Sequence, residues 1–171
     1  MPLTIRAALP ADAEAISRVH IGTWQRAYRG LVPAAFLDSL SERVLGRVMW
    51  WRQQLSSGAT ALVTEEAGRV TGFVGFGGAE PPTDSELGEV FAIYVDAADW
   101  GRGHGRALMV AAQGALRARG FTAAVLWVLA TNERARGFYE RGGWTVDGGT
   151  KTQQIGGEPL EEVRYRRRLE D

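Results

Sequence analysis

The chain contains no cysteine, which excludes disulfide staples, thiol nucleophiles and thiolate metal sites. Its two histidines, His20 and His104, are too few for a zinc site, and no metal is expected. Lys151 is the single lysine, so no G-x-x-x-x-G-K-[ST] loop exists and P-loop nucleotide hydrolysis is excluded. Neither sign of charge is in excess: 20 basic residues balance 20 acidic ones. A balanced chain has no broad field for capturing nucleic acid, and the short run Arg166-Arg167-Arg168 reads as a solvated strand end. No apolar run approaches the ~18 residues that a membrane span needs. The start, "MPLTIRAALPADAEAI", lacks the basic head and long apolar core of a signal peptide. The expectation is a cytoplasmic protein with no membrane or nucleic-acid partner.

The 171 residues are 45% hydrophobic and 23% charged, which suits one globular domain over residues 1–171. "LTIRAA" (3–8) alternates as a strand, and 10–28 opens on proline and acid and continues at helical spacing. Two helices follow over 34–40 and 41–55. Strands at 59–66 and 69–78 flank Ala67-Gly68, a two-residue hairpin signal. A loop (79–85) precedes a strand at 86–95. A helix over 103–119 ends at Gly120, a continuous apolar run at 123–129 reads as a buried strand, and a short helix covers 132–143. Two last strands meet at Gly156-Gly157. This order predicts a mixed sheet with helices on both faces, an α/β (α+β) fold. Strand 86–95, helix 103–119 and strand 123–129 form a right-handed βαβ unit, so those strands run parallel and ligands collect at their carboxyl ends.

That end holds the most informative stretch, "YVDAADWGRGHGRAL". Gly101, Gly103 and Gly105 allow positive φ and leave the backbone bare where the helix begins. The first amides of a helix lack partners and sit at the positive end of its dipole, so the turn suits a phosphate, with Arg102 and Arg106 adding charge. The alternative is a flexible connection with no ligand. The dinucleotide fingerprint G-x-G-x-x-G fails here because residue 106 is arginine, and "LWVLATN" offers no acid after the next strand.

"VDAADWGRGHGRAL" resembles the acetyl-CoA signature [Q/R]-x-x-G-x-[G/A] of the GNAT family of N-acetyltransferases, falling on Trp100, Gly101, Arg102, Gly103, His104 and Gly105. "LWVLATNERARGFYERGGW" resembles the family's next block, an asparagine followed by a Phe-Tyr helix and a glycine-aromatic strand start. "HIGTWQRAYRGLVP" is similar to one subgroup. Trp100 departs from the usual Gln or Arg, and Ala97 from a common proline. The resemblance implies the family's fold, with strands 86–95 and 123–129 splayed to admit acetyl-CoA. It places the diphosphate on the amides of residues 101–106 and pairs the pantetheine arm with the strand ending at Val95. It also implies a bulge near Tyr94 or Val95 whose freed N–H polarises the acetyl carbonyl. Homodimers occur in the family.

Acetyl transfer to an amine must remove a proton from an ammonium of pKa about 10.4 and protonate a thiolate. The resemblance places the acid at Tyr139, whose alternative role is to pack over the pocket. It places a base at Glu89, acting directly or through water. Glu89 interrupts the apolar "EVFAIYV", and its alternative is a solvated or ion-paired strand residue; Glu86 is a weaker candidate. Asn132 is an N-cap, a pantetheine ligand, or both. His104 reads as loop surface and His20 as core or rim. Trp24 and Tyr28, four apart on one helix face, line the acceptor pocket or simply cover the sheet. Of Trp50 and Trp51, one belongs to the core and the other to a groove or dimer contact. The expected activity is acetyl-CoA-dependent transfer to a primary amine of a small molecule. Protein acetylation and a non-catalytic CoA sensor are the alternatives.

Overall fold

The structure, a computed structural model, describes residues 2–80 and 86–169; most of the loop expected over 79–85 lies outside them. One seven-stranded sheet has the order β1-β2-β3-β4-β5-β7-β6. The strands are β1 (Thr4–Ala7), β2 (Ala61–Glu66), β3 (Arg69–Gly78), β4 (Leu87–Val95), β5 (Ala123–Leu129), β6 (Thr145–Ile155) and β7 (Glu158–Arg168). Among the described residues, only β4 and β5 pair in parallel; the other neighbouring strands are antiparallel.

The helices are α1 (Ala13–Ala27), α2 (Ala34–Ser39), α3 (Val44–Ser56), α4 (His104–Ala118) and α5 (Glu133–Arg141). The predicted helix 10–28 is divided, because Pro10–Asp12 form a separate 3-10 turn. Asp12 accepts from the Leu9 amide at 2.7 Å and grips Arg6 of β1 with both oxygens at 2.8 and 2.9 Å. That bidentate pair ties the first strand to the start of α1.

The alternation of β3 explains the two cores. Phe73 faces α1 and α3, where it packs with Ile16, Val19, Trp51 and Leu55. Val74 and Phe76 face the other way, toward Leu108, Ala112 and Leu116 of α4. The second core extends to Trp144 and Tyr165, with Phe138 and Tyr139 of α5 packed against it. The helices thus cover both faces, as the sequence predicts. Among the described residues, no helix is long and apolar enough to cross a membrane.

The β6–β7 hairpin turns on Gly156 (φ 62°) and Gly157 (φ 85°), both in the left-handed region. Two positive φ values in a two-residue loop give the primed turn that matches strand twist. The β2–β3 hairpin is built the same way at Ala67 and Gly68, even though Ala67 carries a Cβ.

Candidate active site

The parallel pair sets the site. β4 and β5 pair only from Leu87 to Glu89, opposite Ala123 to Val125. Beyond that point each strand remains bonded on its outer side, β4 to β3 and β5 to β7. Residues 90–95 and 126–129 therefore diverge and open a V-shaped gap within a cleft of about 1330 Å³. Glu89 is the last paired residue, at the vertex of the V.

A bulge bends β4 inside the gap. Gly75 pairs with Ala92 but Phe76 with Val90, so Phe91 is the extra residue. The bulge thus lies at Phe91, not at the expected Tyr94 or Val95. A continuous apolar run such as "VFAIYV" carries no signal of register, which explains the offset. The Val95 carbonyl, where the pantetheine arm was expected to pair, takes bonds from Thr23 Oγ1 (3.1 Å) and Trp100 Nε1 (2.8 Å). A ligand pairing at Val95 is left with its N–H.

The glycine turn lies at the mouth of the V. Gly101 and Gly103 have φ of 76° and 87°, and the first helical bond of α4 runs from Ala107 N–H to the Gly103 carbonyl. Among the described residues, no protein group accepts from the backbone amides of residues 101–106. A Cβ at Gly105 would make ordinary contact with Phe138 (3.5 Å) and Val95 (3.7 Å), so packing does not demand glycine there.

Two side chains of the turn depart from expectation. His104 is buried, not on the loop surface; its Nδ1 lies 2.8 Å from Thr71 Oγ1, which bonds Thr64 Oγ1 at 3.0 Å. The β2–β3 register skips Thr71, and that irregularity gives the imidazole its partner. Arg102 does not offer its charge freely. Its guanidinium binds Asp99 at 2.6 Å and Glu66 at 2.9 Å, and Asp99 also binds Arg69 at 2.7 Å. Glu66, Asp99 and His104 could by spacing hold a metal, but Arg69 and Arg102 already neutralise the two carboxylates. Arg106, in the first turn of α4, is exposed, lines the cleft and has no ion-pair partner among the described residues.

Of the candidate catalytic residues, Glu89 lines the cleft half-buried, and burial raises its carboxyl above the usual range while Lys151 opposes that shift. Glu86 lies at the closed end of the V, within 3.4 Å of Thr122 Oγ1, and is not part of the cleft wall. Tyr139 lines the cleft from α5, its ring near Phe138 (5.4 Å), Tyr165 (6.0 Å) and Trp144 (6.5 Å). Its hydroxyl has no hydrogen-bond partner among the described residues, and burial pushes its pKa well up. Asn132 is buried and is the N-cap of α5, its Oδ1 accepting from Ala135 N–H at 3.1 Å. Its amide nitrogen is not consumed by that cap.

The acceptor side is aromatic. Trp24 and Tyr28 stack at 4.5 Å and line the cleft with Phe36, Trp50 and Tyr94. His20 stacks on Tyr94 at 4.8 Å. Burial, helped by the positive charge of Arg47, depresses its pKa to about 3 and disqualifies it as a base near neutrality. Trp51 is buried in the core and Trp50 is exposed, and both line the cleft. Arg134 of α5, Arg47 of α3 and Glu162 of β7 also line the cleft and were not singled out from the sequence. The position of Arg134, two residues after Asn132, was the only available signal for it.

Comparison with known proteins agrees with this geometry. The sequence profile of the Acetyltransferase (GNAT) family matches residues 23–144. The uncharacterized N-acetyltransferase YuaI of Bacillus subtilis is 29% identical over 130 residues, covering 76% of this chain and 73% of its own. A probable N-acetyltransferase of Mycobacterium tuberculosis is 28% identical over 166 residues, covering 96% and 92%. Among solved structures, that of yncA of Salmonella typhimurium, a putative acetyltransferase with its cofactor acetyl-CoA, superposes with a TM-score of 0.73 at 25% identity, covering 100% of this chain and 96% of that one. The split parallel pair, the bare turn and the profile match converge: the chain belongs to the GNAT family of acetyltransferases.

Proposed function

We propose that this enzyme transfers acetyl directly from acetyl-CoA to a primary amine of a small molecule. The observation that carries this reading is the placement of Glu89 at the vertex of the β4–β5 gap, in the same cleft as the unpartnered Tyr139 hydroxyl. The unbonded amides of residues 101–106 receive the diphosphate, and the diverging strands admit the pantetheine arm. The amide nitrogen of Asn132 is positioned to bond that arm.

Glu89, raised by burial, takes a proton from the ammonium directly or through water. The amine nitrogen then attacks the acetyl carbon while β4 amides beyond the Phe91 bulge hold the developing oxyanion. The C–S bond breaks, Tyr139 gives its proton to the departing sulfur, and the second proton of the attacking nitrogen is relayed through water to the tyrosinate, leaving a neutral amide. Tyrosine of ordinary pKa about 10 protonating a thiolate whose acid has pKa about 8.5 is uphill by roughly 2 kcal/mol, and burial adds to that. The step therefore needs the dry, preorganised cleft, with the tyrosine recharged from water.

The acceptor reading rests on the wall of Trp24, Tyr28, Phe36 and Trp50 together with the carboxylate of Glu89, since Glu162 is held by Lys151 at 3.4 Å. Such a wall favours a cationic amine on an apolar or aromatic body. The test combines calorimetric titration of acetyl-CoA with thiol release over a panel of small amines and peptides. Binding with release for small amines is the expected result. Release only with peptides overturns the acceptor class, and binding without any release overturns the transferase reading.

A further inference from the structure

The turn expected to meet the diphosphate is short of available positive charge. Arg102 is committed to Asp99 and Glu66, and signature position 100, usually Gln or Arg, holds an indole. That indole is fixed: Trp100 Nε1 donates to the Val95 carbonyl at 2.8 Å, at the end of β4. Its face carries the guanidinium of Arg134, with Cζ only 3.3 Å from the ring centroid. Arg134 lies in the first turn of α5, two residues after the buried cap Asn132, and has no carboxylate partner among the described residues. The residue is exposed at the rim of the cleft, and partial desolvation lowers its pKa, with the indole face as its contact. Arg134 and Trp100 line the cleft together with Gly101, Gly103, Gly105 and Arg106.

We propose that Arg134, held on the face of Trp100, binds a phosphate group of the CoA nucleotide in place of the side chain missing from position 100. Stacking on an indole orients a guanidinium without neutralising it, leaving its N–H edge free for a phosphate oxygen. The Trp100–Arg134 contact also joins the turn before α4 to the start of α5. An anion bound between them bridges the two sides of the V. The proposal rests on the use of acetyl-CoA proposed above.

The test measures CoA affinity by titration for wild type, Arg134→Gln, Arg134→Lys and Trp100→Ala. A charge-assisted hydrogen bond to phosphate corresponds to a loss of roughly 10- to 100-fold for Arg134→Gln. Trp100→Ala is expected to weaken binding less, and Arg134→Lys to recover part of the loss. The dependence of affinity on salt should flatten in Arg134→Gln, a change that simple loosening of the fold does not produce. Dephospho-CoA separates the two phosphate sources. A defect that vanishes with it assigns the 3′-phosphate, and a defect that persists assigns the diphosphate. The defect should also vanish for turnover of S-acetylpantetheine, which has no phosphate. Equal losses with CoA and S-acetylpantetheine, or CoA affinity within twofold of wild type, overturn the proposal. Failure of the wild type to bind CoA at all overturns the functional reading instead.

Discussion

Acid should destabilise this protein through His20, by an amount the structure allows to be worked out. The imidazole stacks on Tyr94 and lies near Phe73 and Trp24, and its Nδ1 is buried without a partner among the described residues. Burial and the field of Arg47 lower its pKa from 6.5 to about 3. In the unfolded chain the ring takes up a proton below pH 6.5; in the fold it stays neutral until about pH 3. Between those values the unfolded state binds more protons, so acid favours unfolding, and the stability is intact only above the unfolded pKa. Integrated from pH 7.5 down to pH 5, one such group costs about 2 kcal/mol. For a domain of this size that lowers Tm by roughly 6 °C. Carboxylates titrate in the same range, so the assay compares wild type with His20→Phe, which keeps a ring against Tyr94 and removes the titration. Calorimetric Tm values at pH 7.5, 6 and 5 should show the gap between the two proteins shifting by about that amount in favour of the variant. Parallel curves would refute a neutral, buried His20.

Four further outcomes follow from the site and the sheet. Tyr139→Phe should lower kcat about 100-fold, the usual worth of a general acid, with CoA affinity within about twofold because the removed hydroxyl has no protein partner; a kcat within threefold of wild type would strip the residue of that role. Wild-type activity should show no loss from ionisation of this phenol up to about pH 9.5, since burial raises it above the ordinary tyrosine value. Glu89→Gln should cut kcat by about 100-fold and abolish the acid limb of the kcat–pH profile. In wild type that limb lies above the ordinary glutamate value of 4.5 because burial raises the carboxyl, and an unchanged limb in the variant assigns it elsewhere. Gly72→Ala should lower stability by roughly 1–3 kcal/mol, read as a drop in Tm. A Cβ there would lie 2.9 Å from the Tyr94 carbonyl oxygen, 3.0 Å from Thr64 Oγ1 and 3.1 Å from Leu108 Cδ1, and the first of these is backbone that cannot swing aside.

What could be read from the sequence divides along a physical line. Elements set by local chemistry stand where the residues place them. β3 runs over Arg69–Gly78 and β5 over Ala123–Leu129, as the hairpin signal and the apolar run imply. The glycine turn was legible for the same reason: a bare, positive-φ approach to a helix leaves its mark in residue type. The register of one strand on another leaves no such mark. The bulge stands at Phe91, three or four residues before the position the resemblance implies, and His104 is buried rather than on the surface because its partner, Thr71, is turned toward it by an irregularity in a different strand pair.

Charge around the turn follows the same rule with greater consequence. Counting arginines in "WGRGHGR" suggests two cations for a phosphate, Arg102 and Arg106. Whether an arginine is free, however, is decided by carboxylates brought in from elsewhere in the fold. Glu66, at the end of β2, captures Arg102 across 36 residues of sequence, while Arg134 meets no acid among the described residues and lies instead on Trp100. An ion-paired guanidinium gains little from a new anion, because it must share or surrender a bond it already has. An unpaired, partly desolvated one gains most. The cation that matters to an anionic ligand is therefore the one the fold leaves uncompensated, and here that selects Arg134 and Arg106 over the arginine written into the middle of the signature.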